Sequence, residues 1–289
     1  MSVFSEDIIY KQAGSLPIML SVTEPPQKGC PVIVHIHGGA LMGGDRLGLP
    51  DFEVVDLAEA GFAVVSIDYR LAPPAKLIDI IEDVKDALAW VRGEGAVRFG
   101  WAADRIGVFG GSAGGYLSLM TGTFKIKPKA IVSLYGYGNI LAPWYTKPDP
   151  FYLNEPAVTK EEAYRHAPKE DRTSGWAGNL YLYTRQTGTW PAVVSGWDPE
   201  KEAEKFLPYC PALTADALFP PVLLLHGTSD TDVPYSQSLE MLTALQKKKA
   251  EARLITLNGW PHAFDYQDPM PDKVREVFGE AVAFLKEKV

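Results

Sequence analysis

A serine flanked by glycines is the first group in the sequence that could perform covalent chemistry. The segment from Gly110 to Gly115 reads GGSAGG and places Ser112 at the centre of a G-x-S-x-G motif. It follows an apolar, strand-like run and precedes a helical one, so we predict a sharp strand–turn–helix that projects the serine above a sheet. Side chains at Gly110 and Gly114 would collide in so tight a turn. The helix N-terminus would present backbone N–H groups to a developing oxyanion.

A glycine-rich turn at this place could also bind phosphate or carry no chemistry. The segment has neither the lysine of a P-loop nor the G-x-G-x-x-G spacing of a dinucleotide-binding turn. A nucleophilic serine is therefore the favoured interpretation.

Two later motifs supply the residue types that could activate Ser112. Asp230 lies in the segment HGTSDTDVP and His262 in the segment WPHAF, and each segment follows a predicted strand. A carboxylate at a strand end can orient an imidazole, and the imidazole can then accept the serine proton. The order serine, aspartate, histidine along the chain supports this assignment. Asp232 is the competing candidate for the acid and is otherwise expected to be only a turn residue.

A second glycine motif lies about 70 residues before the serine. His37, Gly38, Gly39 and Ala40 follow the apolar run PVIVHI, and glycine allows backbone to approach a substrate closely. The N–H groups of this motif could face the same point as the N–H of Ala113. We expect His37 to position the loop rather than to transfer protons.

The remaining histidines and the cysteines give no sign of a metal site. We expect His35 to be buried within a strand and His166 to be solvated in a polar run. No HExxH motif, Cys/His set or CxxC knuckle occurs. Cys30 and Cys210 are the only cysteines, and a disulfide between them stays open at this stage.

The elements that must position these groups alternate between strands and helices, which predicts an α/β fold with a mostly parallel sheet. The strand candidates are continuous apolar runs, as expected when both faces of a sheet are covered. They are residues 31–37, 62–68, 105–110, 129–135, 222–226 and 253–257, with 7–11 and 17–22 as an antiparallel edge. The helix candidates are residues 51–60, 77–92, 116–122, 235–248 and 272–288. In residues 77–92, Ile78, Ile81, Val84, Leu88 and Val91 form one predicted apolar face.

One long stretch, residues 139–210, interrupts this alternation. It contains 12 of the chain's 32 aromatic residues and is too long for a structureless loop. We predict a cap inserted into a core formed by residues 1–138 and 211–289. Its aromatic residues could form a small core of their own, line a substrate pocket, or do both.

Composition narrows the functional classes. The 289 residues carry 28 Lys and Arg against 36 Asp and Glu, a net charge of −8. This gives no electrostatic footprint for nucleic acid or an anionic membrane. The N-terminus does not read as a secretory signal, and no apolar run is long enough to span a bilayer. We therefore expect a cytoplasmic protein with a small-molecule substrate; the oligomeric state is left open.

Taken in order, the motifs HGGA, DYRLAP, GGSAGG, HGTSDTDVP and PHAF resemble the α/β-hydrolase fold. The resemblance covers roughly residues 30–289 and is to the hormone-sensitive-lipase-like and prolyl-oligopeptidase-like esterases. It implies a triad of Ser112, Asp230 and His262. It also implies an oxyanion hole formed by the backbone N–H groups of Gly39, Ala40 and Ala113. Ala40 departs from the usual HGGG motif.

The implied activity is that of a serine carboxylesterase acting on small to medium acyl esters, with no cofactor and no metal. The same triad could instead cleave amides or peptides, in the manner of an aryl-formamidase or acyl-peptidase. A third possibility is a binding protein of this fold without catalytic activity, but such proteins commonly lack a triad member and none is missing here.

Overall fold

The central element is one eight-stranded sheet. The computed structural model describes residues 4–23, 27–267 and 270–289. The strands are β1 (Glu6–Ala13), β2 (Leu16–Val22), β3 (Val32–Ile36), β4 (Ala63–Ile67), β5 (Ile106–Gly111), β6 (Ala130–Leu134), β7 (Val222–Gly227) and β8 (Ala252–Leu257). Their order is β1-β2-β4-β3-β5-β6-β7-β8, with β1 and β2 antiparallel at one edge and the other six parallel. The predicted mostly parallel sheet with an antiparallel N-terminal edge is confirmed.

Helices cover both faces of this sheet. They are α1 (Asp51–Glu59), α2 (Leu77–Trp90), α3 (Ala96–Phe99), α4 (Ala113–Thr121), α5 (Pro143–Thr146), α6 (Lys160–Arg165), α7 (Gly178–Thr187), α8 (Trp190–Ser195), α9 (Ala203–Phe206), α10 (Pro211–Thr214), α11 (Ser236–Lys247) and α12 (Asp272–Lys288). In β3, Val34 packs in the apolar cluster that includes α2 and α4, whereas Ile33 packs with α1 and α12. Alternate residues of a strand point to opposite faces, so the continuous apolar runs reflect burial on both sides.

The apolar face of α2 differs from the prediction by one position. Ile78 is 46% exposed, whereas Leu77 and Ile80 are buried together with Ile81 and Val84. Apolar side chains lie along two neighbouring stripes on the surface of α2. Packing against the sheet decides which of the two stripes is buried.

The stretch that interrupts the alternation, residues 139–210 (the inserted segment), contains five short helices, α5 to α9. Its buried aromatic residues belong to the same apolar cluster as the sheet residues that pack against α2 and α4, not to a separate core. Trp190 is completely buried, stacks on Tyr145 with ring centroids 4.0 Å apart, and lies edge-to-face with Tyr137. Both cysteines are buried and free. Within the described residues, no helix is long and apolar enough to cross a membrane.

Candidate active site

Ser112 lies on a strained turn between β5 and α4. Its backbone has φ 56° and ψ −122°, a conformation that costs a non-glycine residue on the order of 1–3 kcal/mol. Gly110 and Gly114 approach the carbonyl oxygen of Ile36 so closely that a Cβ on either would overlap it. The turn therefore needs glycine at both positions, and Ala113 follows as the first residue of α4.

His262 and Asp230 reach Ser112 from the ends of two other strands. His262 Nε2 is 3.1 Å from Ser112 Oγ, and His262 Nδ1 is 2.7 Å from Asp230 Oδ2. The other carboxylate oxygen, Asp230 Oδ1, accepts the backbone N–H groups of Asp232 and Val233. A serine hydroxyl, an imidazole and a carboxylate thus form one continuous hydrogen-bonded series.

The electrostatics of this series favour an ionised acid and a basic imidazole. Burial acts to raise the pKa of Asp230, but hydrogen bonds with His226 and His262 outweigh it and lower the pKa to about 2. Burial acts to lower the pKa of His262. The hydrogen bond to Asp230 and the charge of Asp232 outweigh that effect and leave the pKa above its usual value of 6.5.

Asp232 is more than a turn residue, and that expectation was wrong. Its Oδ2 lies 3.4 Å from His262 Nε2, on the side of the imidazole that faces Ser112. Its Oδ1 accepts hydrogen bonds from Tyr152, Tyr181 and Arg185 at 2.5–2.8 Å. The geometry nevertheless favours Asp230 as the orienting carboxylate, because only Asp230 bonds the imidazole nitrogen that points away from the serine.

Arg185 connects this carboxylate to the inserted segment. The guanidinium is fully buried between Asp149 and Asp232, with N···O distances of 2.5 and 2.8 Å. It also lies 4.6–5.7 Å from the ring centroids of four aromatic residues, Trp144, Tyr145, Tyr152 and Tyr181. A buried charge needs such partners, so Arg185 fixes the position of Asp232 relative to the inserted segment.

The second glycine motif lies beside the serine. Among the described residues, neither Gly39 N–H nor Ala40 N–H has a hydrogen-bond acceptor. Gly39 has φ +100°, and a Cβ there would overlap the backbone of Gly43. Ala40 adopts the left-handed φ of 53°, so alanine is tolerated in the place where the related motif has glycine.

Neighbouring side chains hold this loop in shape. Trp190 Nε1 donates to the Ala40 carbonyl at 3.0 Å, and Tyr69 OH donates to the His37 carbonyl at 2.9 Å. His37 is buried, stacks on Tyr69 and bonds the Gly38 carbonyl through Nδ1. This is the positioning role expected for His37. His35 is also buried, with Nδ1 2.8 Å from Ser66 Oγ, and His166 is exposed.

Ser112, His262 and the second glycine motif line one cavity of about 350 Å³. It is lined by His37, Gly38, Gly39, Ala40, Gly44, Asp45, Gly48, Gly111, Ser112, Tyr135, Trp176, Tyr181, Asp232, His262, Ala263 and Tyr266. Ala113 lies behind the lining and is completely buried. A larger cavity of about 480 Å³ lies between α2 and the end of α4, and it contains none of the candidate residues.

Sequence reasoning missed several residues that support the site. His226, near the end of β7, places Nε2 3.2 Å from Asp230 Oδ2 and 3.0 Å from the Val233 carbonyl oxygen. Tyr135 packs edge-to-face on His262 and donates a hydrogen bond to the buried Asp265. The only available signal was position, since each lies at a strand end or within four residues of a candidate triad member. Among the described residues, no group of three or more His, Cys, Asp or Glu could hold a metal ion.

Two family models match the chain in succession. The model named BD-FAE matches residues 20–149, and the model of the prolyl oligopeptidase family matches residues 165–289. The division falls inside the inserted segment, so the serine and the second glycine motif lie in the first match and the aspartate and histidine in the second.

Individual proteins that are similar to this chain include an esterase and an α/β hydrolase superfamily protein. The chain is 29% identical to Esterase LipC of Mycobacterium tuberculosis, over 84% of this chain and 55% of that protein. It is 26% identical to a non-reducing polyketide synthase of Emericella nidulans over 98% of this chain. The chain thus spans 14% of the synthase and about half of the esterase. A solved α/β hydrolase superfamily protein from Enterococcus faecalis superposes with a TM-score of 0.75 at 21% identity, covering 99% of this chain and 100% of that one.

Proposed function

The chain has the α/β-hydrolase fold, and on that premise we propose that it is a serine carboxylesterase that hydrolyses small to medium acyl esters. Hydrolase activity fits the match to the prolyl oligopeptidase family and the similarity to Esterase LipC. The observation that carries the finer proposal is the continuous series from Ser112 Oγ through His262 to Asp230, with distances of 3.1 and 2.7 Å.

In the proposed reaction, Ser112 Oγ attacks the ester carbonyl carbon while its proton passes to His262 Nε2. The resulting oxyanion would be stabilised by the backbone N–H groups of Gly39, Ala40 and Ala113. Collapse breaks the bond to the alcohol oxygen, which takes the proton from His262 Nε2 and leaves. Water then attacks the acyl-enzyme with the same imidazole as its base and releases the acid and free Ser112.

Asp230 has two tasks in this scheme. Its hydrogen bond to Nδ1 fixes the tautomer in which Nε2 is free to accept the serine proton. Its negative charge, which the low pKa of about 2 preserves, stabilises the imidazolium that forms in each half of the reaction.

The cavity supports a limit on substrate size. About 350 Å³ is near the lower end of the range for small-molecule sites. Trp176 and Tyr181 of the inserted segment form part of its wall and could contact apolar or aryl groups. We propose that short acyl chains are preferred over long ones.

Amide hydrolysis is the second candidate, because the match to the prolyl oligopeptidase family covers residues 165–289. The two activities use the same triad and differ in the leaving group that His262 must protonate.

The test is a panel of p-nitrophenyl acetate, butyrate and palmitate with the matching anilides, run on the purified protein and on Ser112→Ala. We expect turnover of the short esters, a much lower kcat/KM for palmitate and a loss of about 10⁶ in kcat in the variant. Esterase activity that survives in Ser112→Ala would contradict the proposed nucleophile. Faster turnover of the anilides would select the second candidate.

A further inference from the structure

The cavity that contains Ser112 is lined by acidic side chains. The described residues that line it include two carboxylates, Asp45 and Asp232, and no Lys or Arg. Asp45 is partly exposed, and its Oδ1 accepts the backbone N–H of Leu47. Among the described residues, no cation forms an ion pair with Asp45. A substrate that enters therefore meets two carboxylates, of which Asp232 is paired with Arg185 and Asp45 has no cationic partner among the described residues.

Asp232 keeps part of its charge in spite of Arg185. That one guanidinium is shared between Asp149 and Asp232, so a single positive charge faces two negative ones. Among the described residues, the side-chain donors Tyr152, Tyr181 and Arg185 all bond Oδ1 of Asp232. The other oxygen, Oδ2, has His262 Nε2 as its neighbour at 3.4 Å.

The protonation state of His37 is a third feature that favours a cationic group in this cavity. Burial lowers the pKa of His37 to about 4, so the ring is neutral near pH 7. Its Nδ1 must carry the proton that bonds the Gly38 carbonyl, which leaves Nε2 as an acceptor. This Nε2 is buried and has no partner among the described residues. His37 lines the cavity, and its neutral ring contributes no positive charge there.

An aromatic face completes the environment. Trp176 lines the same cavity and is 55% exposed, and Tyr181 lies beside it at a centroid distance of 5.4 Å. Indole and phenol faces attract organic cations through their quadrupole. Carboxylates next to aromatic faces form an environment suited to an alkylammonium group.

We propose that this site selects esters whose leaving alcohol or thiol carries a positively charged alkylammonium group. The position of Asp232 assigns the charge to the leaving group. His262 Nε2 must lie beside the leaving atom to protonate it, and Asp232 Oδ2 is 3.4 Å from that nitrogen. The inference rests on the proposed esterase function and adds the substrate class.

The test compares two thioesters of the same shape. S-(2-dimethylaminoethyl) thioacetate is protonated near pH 7, and S-(3-methylbutyl) thioacetate is its neutral analogue. Thiol release is followed with a chromogenic disulfide, and the readout is the ratio of the two kcat/KM values. We expect the native protein to favour the cation by roughly tenfold or more, as a unit charge a few ångströms away in a partly solvated site would give. The preference should decline with added salt.

Three variants test which carboxylates cause the preference for the cationic thioester. Asp45→Asn keeps an oxygen for the Leu47 N–H and should lower the ratio severalfold without disturbing the fold. Asp232→Asn should lower it further. Asp104→Asn, at an exposed position outside the cavity, removes the same unit of charge and should leave the ratio unchanged.

A native ratio of one or less, or a ratio that neither cavity variant lowers, would overturn the proposal. Failure to turn over either thioester while p-nitrophenyl acetate is hydrolysed would overturn it as well. Failure to hydrolyse p-nitrophenyl acetate would instead contradict the proposed esterase function, so the two failures are distinguishable.

Discussion

Replacing Asp230 by asparagine should disable the proposed base while leaving the loop intact. Asp230 Oδ1 accepts the backbone N–H groups of Asp232 and Val233 at 2.9 and 2.8 Å, and Oδ2 accepts His262 Nδ1–H at 2.7 Å. The asparagine oxygen can satisfy only one of these positions. Retaining the two backbone bonds requires the amide NH₂ to face His262.

The consequence is a change of tautomer. An amide that donates to Nδ1 forces the imidazole to carry its proton on Nε2, the nitrogen 3.1 Å from Ser112 Oγ. That nitrogen can then no longer accept the serine proton. Loss of the correct tautomer costs about 10⁴ in kcat, or about 5.5 kcal/mol of activation free energy.

The same change should have a small effect on stability. His226 Nε2 loses an acceptor at 3.2 Å but keeps the Val233 carbonyl at 3.0 Å. We expect a cost of about 1–2 kcal/mol in the free energy of unfolding, which is compatible with a folded variant.

The assay is kcat for p-nitrophenyl acetate, measured with a urea unfolding curve for each protein. Asp232→Asn is the matched comparison, because it removes the same charge without altering the Nδ1 hydrogen bond. An Asp230→Asn variant that is folded and retains a tenth of the native kcat would refute the reasoning. A larger loss in Asp232→Asn than in Asp230→Asn would move the orienting role to Asp232.

Three further predictions concern the pH dependence of His262, the glycine of the serine turn and the buried Glu53. Because a protonated His262 cannot accept the serine proton and its pKa is raised, kcat/KM should fall with decreasing pH through a midpoint above 6.5. Asp232→Asn should move that midpoint to lower pH, and an unmoved midpoint would contradict the charge effect. Gly114→Ala, whose Cβ would overlap the Ile36 carbonyl, should destabilise the fold by about 3 kcal/mol. Gly279→Ala, in open space within α12, should stabilise it by up to about 1 kcal/mol in the same denaturation assay. Glu53 is completely buried, and burial and the neighbouring Asp265 raise its pKa well above the usual 4.5. The unfolded chain therefore loses this proton at lower pH than the folded one, so stability should decline as pH rises above 4.5. Glu53→Gln should flatten that decline in Tm, and an identical slope would argue against a protonated Glu53.

The strands and the principal helices could be predicted because the spacing of their apolar residues in the sequence matches the faces that are buried in the fold. The continuous apolar run at residues 31–37 predicts a strand covered on both faces, and β3 spans Val32–Ile36. Ile78 shows the limit of this reasoning. Two apolar stripes overlap on α2, and only contact with the sheet decides between them.

The candidate site residues could also be predicted from their positions in the sequence. Residues that directly follow parallel strands meet at the same edge of the sheet, and catalytic side chains of this kind of fold lie there. Ser112 and His262 are 150 residues apart, yet each follows a recognisable strand. The network around Arg185 could not be found in this way. Asp149, Arg185 and Asp232 belong to three separate segments, and their meeting depends on the packing of short helices that carry no strong periodic signal.

The central claim is that Ser112 is the nucleophile, and covalent labelling tests it most directly. The protein is treated with a fluorophosphonate, digested, and analysed by mass spectrometry for a phosphonyl adduct, with Ser112→Ala treated in parallel. We predict one adduct per chain, located on Ser112, with esterase activity lost in proportion to labelling and no adduct in the variant. An active protein that hydrolyses p-nitrophenyl acetate with Ser112 unlabelled, or that is inactivated by labelling at another residue, would contradict the account.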